Sequence, residues 1–215
     1  MEDIAPRPRT PLVVWLLTGA IVVAYVAYLL APAPMQITAE NAFALIPERF
    51  RSESPFYFRR GYEWFGPIFG HSFLHVAWWH AGLNAFFLFA AGRLPAVRLG
   101  PMRFLIVYFA AVAAGAAMFL AFNWNSQDVA VGASGGVCGM FTAYLFSVRP
   151  TWRDALADPR VRGPLGMLFL INVVLMGAAS EAGLFPIAWE AHLGGFVGGG
   201  VAYALLQPRA HRPWG

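Results

Sequence analysis

The sequence predicts an all-α membrane protein with six transmembrane helices, and three observations carry that prediction. The 215 residues are 59% hydrophobic and only 12% charged, too little polar surface to coat a soluble globule. The apolar residues gather in six long runs, each close to the length that crosses a hydrocarbon core roughly 30 Å thick. All 15 positive charges are arginine, and they sit unevenly between the runs. Disorder is excluded by 19 Phe, 8 Trp and 7 Tyr, far more aromatic mass than a non-collapsing chain carries. The net charge of +4 comes from scattered arginines and not from a basic stripe, so no nucleic-acid partner is expected. The single cysteine, Cys138, permits no intrachain disulfide and no CxxC metal or redox motif.

Pro11 to Ala31 is the first span. Arg7 and Arg9 precede it and Ala31-Pro32-Ala33 mimics a cleavage site, but Pro34 and the length of the apolar core favour a retained helix over a signal peptide. The connection from residue 32 to 65 is the only long one. Its aromatic residues, mixed with Glu and Arg, suit the membrane interface. The remaining spans are expected at Gly66 to Gly92, Phe104 to Phe122, Val129 to Val148, Gly163 to Ala179 and Pro186 to Leu206. Residues 1–10 and 207–215 are then the tails of a membrane domain covering 11–206. Taking alternate connections, Arg7 and Arg9, Arg93, Arg98 and Arg103, Arg149, Arg153, Arg160 and Arg162, and Arg209 and Arg212 share one side. The other side has four arginines, all in the long connection and matched by four glutamates. The positive-inside rule therefore puts both termini in the cytoplasm, and the chain is read as integral to the bacterial inner membrane.

Polar groups inside a membrane are costly and are functional candidates by default. Here they are His71, His75, His80 and Asn84 on the second span, Ser134 on the fourth, Asn172 on the fifth, and Glu190 and His192 on the sixth. Ser134 and His192 each lie 15 residues from the inner boundary positions Arg149 and Gln207, which at 1.5 Å per residue puts both at a depth of about 22 Å. A serine at a helix start, level with a histidine on another helix, points to a nucleophile and its general base. Gly135 and Gly139 on the fourth span, with Gly194/Gly198 and Gly195/Gly199 on the sixth, form small-xxx-small patterns that let helices approach backbone to backbone. The Ser134 amide, at the positive end of its helix, is placed to stabilise an oxyanion. Asp128 and Glu190 are poorly placed as a third member, so a Ser-His dyad is expected. His71 and His75 are read as structural or entrance-lining, and Asn172 as structural. No metal is expected.

Gly132-Ala133-Ser134-Gly135 with Gly139 reads GxSGxxxG. His80 to Asn84 reads HxxxN, and Ala191-His192 with Gly195 and Gly199 reads AHxxGxxxG. Three motifs in this order on the second, fourth and sixth spans resemble the rhomboid family of intramembrane serine proteases. The resemblance covers roughly residues 62 to 206 and implies a rhomboid-like six-helix bundle. It implies Ser134 as nucleophile, His192 as base, and His80 and Asn84 with the Ser134 amide as oxyanion contacts. It also implies transmembrane proteins as substrates, membrane lipid as the surroundings, and no cofactor. In this sequence Trp64-Phe65 stands where the family has Trp-Arg, Ala96 where it often has Glu, and Cys138 where an aromatic residue usually stacks on the base. The alternatives are a catalytically silent rhomboid-like binding or quality-control protein and, more distantly, a transporter, which the lack of repeated halves disfavours.

Overall fold

The computed structural model describes residues 9–54, 57, 61–184 and 187–208. Residues 1–8 of the expected N-terminal tail, the Arg59-Arg60 stretch of the long connection and residues 209–215 of the expected C-terminal tail lie outside that range. The chain is an all-α membrane protein, and the one β pairing among the described residues is an isolated bridge between Leu45 and Ala130. Exposed side chains such as Leu30, Trp78, Phe86, Val201 and Leu205 are apolar, the composition of a surface that faces lipid.

Helix α1 (Leu12–Leu30) buries Val14 and Ile21 against the neighbouring helices and leaves its other faces exposed. The long connection is partly helical, with α2 (Ala33–Phe43) packed on the short α3 (Phe65–Gly70). A Cβ at Gly66 would meet the Ala42 carbonyl oxygen at 2.6 Å, so only glycine permits this approach. Helix α5 (Pro101–Phe122) matches the expected third span with one extra turn at its start. The helices Leu12–Leu30, Pro101–Phe122 and Pro159–Glu181 are each long and apolar enough to cross a membrane, and a bent pair makes a fourth candidate.

That bent pair corrects the expected second span. Gly66 to Gly92 is not one helix: α3 runs into a 3₁₀ turn at His71–Phe73, the chain turns by 93°, and α4 spans Trp78–Leu99. An apolar run reads the same whether it crosses directly or re-enters. Irregular backbone is tolerated at membrane depth wherever the protein itself satisfies it, and here polar contacts described below do so. Helix α4 also continues past Arg93 and through a buried Pro95.

The fourth span is corrected as well. Helix α6 covers Ser134–Ser147, so residues 129–133 approach the serine as irregular chain. At 1.5 Å per residue its 14 residues reach about 21 Å, short of a full crossing, and its start is therefore buried in the protein. Beyond it, α7 (Trp152–Ala157) carries a capping box between Thr151 and Asp154. The Arg160 amide and the Arg149 guanidinium hold the Asp158 carboxyl below the usual carboxylate range. The fifth span is longer than expected: α8 (Pro159–Phe169) passes through a π-helical turn at Leu170–Leu175 into α9 (Met176–Glu181).

Helix α10 (Trp189–Leu206) sits between α5 and α6, and glycine decides how closely. A Cβ on Gly195 would fall 2.0 Å from the Gly135 carbonyl oxygen, and one on Gly199 would fall 2.3 Å from the Gly139 Cα. The second stripe faces a different helix: Gly194 and Gly198 press on Ala114 of α5. Both small-xxx-small patterns are thus used, but on two neighbours, and the alanine-rich face of α5 is the signal for the second.

Candidate active site

Ser134 is the first residue of α6, and α10 delivers His192 to it. The Ser134 Oγ and His192 Nε2 lie 2.8 Å apart, a hydrogen bond between residues 58 positions apart in sequence. The approach follows from the glycines: Gly195, one turn beyond His192, rides on the Gly135 carbonyl. His192 is buried and Ser134 half-buried. The other imidazole nitrogen, Nδ1, lies 3.0 Å from the main-chain carbonyl oxygen of Asn172 and donates to it. That bond leaves Nε2 bare, the tautomer that accepts a hydroxyl proton.

The turn leading into Ser134 is held by the irregular segments on either side of it. Gly132 N–H donates to the His71 carbonyl at 2.8 Å, and Ala133 N–H donates to His75 Nε2 at 3.3 Å. Two residues earlier, Ala130 and Leu45 exchange main-chain hydrogen bonds of 2.9 and 3.1 Å. His71 itself donates from Nδ1 to the Pro67 carbonyl at 2.7 Å. His71 and His75 therefore do not form an i,i+4 pair on one helix. They fasten the serine turn, and the bend between α3 and α4 exists where they do so.

His80 and Asn84 belong to the first two turns of α4 and lie over this turn. Gly132 has φ +117°, a region that disfavours side chains, and a Cβ there would meet the His80 ring at 2.7 Å and the Asn84 Nδ2 at 3.7 Å. The His75 and His80 rings meet edge to face, with centroids 4.9 Å apart. Asn84 Nδ2 is buried with no hydrogen-bond partner among the described residues, as is His80 Nδ1. A buried donor left unpaired costs roughly 1–3 kcal/mol. The His80 ring and the Asn84 amide thus lie over Gly132, two residues before Ser134. Among the described residues no carboxylate joins this cluster: Glu190 accepts from Asn123 Nδ2 at 2.9 Å, and Asp128 is exposed. Cys138, one turn below Ser134, is buried with Val173 and Phe196.

Sequence reasoning assigned Asn172 only a structural role, yet its carbonyl faces His192. No side-chain property signals this, because the interacting atom is one that every residue has. Compared with protein families, the chain matches the family model described as the Rhomboid domain over residues 62–209. No curated protein matches it.

Proposed function

Because the chain belongs to the rhomboid family, we propose that it is an intramembrane serine endopeptidase that cleaves transmembrane segments of other membrane proteins through a Ser134–His192 dyad. The observation that carries this reading is the 2.8 Å contact between Ser134 Oγ and His192 Nε2 beside the unpaired Asn84 amide. As Oγ attacks the scissile carbonyl carbon, its proton passes to Nε2. Charge that develops on the carbonyl oxygen is met by the Asn84 side chain, His80 and the Ser134 amide. His192 then returns the proton to the departing amine and leaves an acyl-enzyme on Ser134. A water molecule, deprotonated by the same imidazole, releases the acid.

The direct test is labelling by a fluorophosphonate in detergent. Ser134 Oγ should form a bond to phosphorus with loss of fluoride, its proton going to His192, and Ser134→Ala should not label. A folded wild-type protein that neither labels nor cleaves a transmembrane substrate would instead support the catalytically silent rhomboid-like protein.

The chain is an integral membrane protein, and we further propose the bacterial inner membrane with both termini cytoplasmic and the 32–65 connection outside. In that arrangement residues 1–10 and 207–215 are tails of a six-span domain. Eleven of 15 arginines support this orientation. In a Cys138→Ala background, a cysteine placed at Glu53 should react with an impermeant thiol reagent from the outer side. Reaction only from the cytoplasmic side overturns the topology.

A further inference from the structure

In an unbroken α-helix the carbonyl of Asn172 would accept from the amide of Met176. The π-helical turn at Leu170–Leu175 diverts that amide, which bonds to the carbonyls of Ile171 and Val173. The Asn172 carbonyl instead accepts from His192 Nδ1 at 3.0 Å. The Asn172 side chain closes the other end of the arrangement, its Nδ2 donating to the Leu168 carbonyl one turn back at 2.9 Å. The next residue, Val173, is buried against Cys138 of α6 and Phe196 of α10, which fixes the turn against both helices of the Ser134–His192 pair. Gly177 fixes its far end, for a Cβ there would lie 3.1 Å from the Trp189 ring.

We propose that Asn172 is a positioning residue: the π-turn that its side chain clasps frees its main-chain carbonyl to hold His192 Nδ1–H, and so sets the tautomer and orientation of the imidazole. Among the described residues no carboxylate meets His192 Nδ1, and Cys138 below the site presents no ring. A helix interrupted by a π-turn departs from the regular ladder, and such interruptions are frequent at functional sites. When Nε2 takes the Ser134 proton, the bond from Nδ1–H to the carbonyl becomes charge-assisted and strengthens as the imidazolium forms. This inference rests on the proteolytic reading for its kinetic arm but not for its spectroscopic arm.

The experiment combines nitrogen-15 NMR of histidine-labelled protein in detergent with steady-state kinetics on a transmembrane substrate. Of the five histidines, the resonances lost in His192→Ala identify His192. The wild type should show His192 protonated at Nδ1 and bare at Nε2, with a downfield, hydrogen-bonded proton. Asn172→Ala, and a one-residue deletion at Val174 that returns the turn to α-helix, should both weaken that proton signal and mix the two tautomers. They should lower kcat by about 10-fold with little change in KM, the size expected when a group orienting a catalytic imidazole is lost. Asn172→Ser, whose hydroxyl can also bond one turn back, should restore most of both. If the deletion does not fold, Asn172→Ala decides. A wild-type His192 protonated at Nε2 overturns the proposal, and so does an Asn172→Ala protein with an unchanged His192 signal. An inactive wild type that shows the expected signal refutes the protease reading and leaves the positioning role standing.

Discussion

Ser134→Ala and His192→Ala should each reduce proteolysis of a transmembrane substrate by on the order of 10⁴-fold or more, to the floor of the assay. The two losses should not add: the double variant should be no slower than either single one, because the groups act as one proton-transferring unit joined by a 2.8 Å hydrogen bond. Ser134→Ala removes only a half-buried hydroxyl, whereas His192→Ala also leaves the Asn172 carbonyl without its donor. Ser134 is half-buried at the start of α6, and the closeness of α6 to α10 is set by Gly135, Gly139, Gly195 and Gly199, which both variants keep. Thermal unfolding in detergent should therefore stay close to wild type for Ser134→Ala and fall modestly for His192→Ala, with both proteins still folded. The measurement is cleavage by purified variants of matched helicity. A folded Ser134→Ala protein that retains a substantial fraction of wild-type proteolysis removes the nucleophile assignment, and with it the dyad.

Asn84→Ala should lower kcat by about 10²–10³ while KM changes little, the effect of removing one donor to an oxyanion in a site poor in water. Its signature separates it from a helix-packing role. Asn84 Nδ2 has no partner among the described residues, so its removal breaks no hydrogen bond found for that group and relieves a buried unpaired donor. Stability should be unchanged or slightly higher, and the rate of fluorophosphonate labelling should fall together with kcat, because the phosphoryl oxygen occupies the same place. A variant with a lowered melting temperature and near wild-type kcat in its folded fraction identifies Asn84 as interhelical glue. In that case the His80–Asn84 pair over Gly132 is structural.

How much of this was legible beforehand differs from element to element. Ser134 and His192 were legible because each continues a helix toward a recognisable inner boundary, and a helix converts residue counts into depth at a constant rise. Gly135, Gly139, Gly195 and Gly199 were legible because contact at van der Waals distance leaves room for no side chain. The break after His71–Phe73 was not, since the run from Gly66 to Gly92 is long and apolar enough overall to read as one span and hydropathy does not record direction. The contacts of His71 and His75 were hidden with it, because the residues they hold, Gly132 and Ala133, are distant in the chain.

The sequence by itself determined that this chain belongs in a bilayer and is helical there, because continuous apolar runs of about 20 residues cross hydrocarbon as helices, which satisfy their backbone amides internally. It also determined which side chains are too polar to be there without purpose: Ser134, His192, His80 and Asn84. Only the tertiary structure decided which neighbour each glycine stripe of α10 meets, that the second span bends by 93°, and that the Asn172 carbonyl leaves its helix for His192. The physical reason is common to all three. Side-chain polarity and size are properties of a residue and are written in its identity, whereas the destination of a carbonyl or the facing of a glycine depends on which surfaces pack together, and that is settled only when the helices meet.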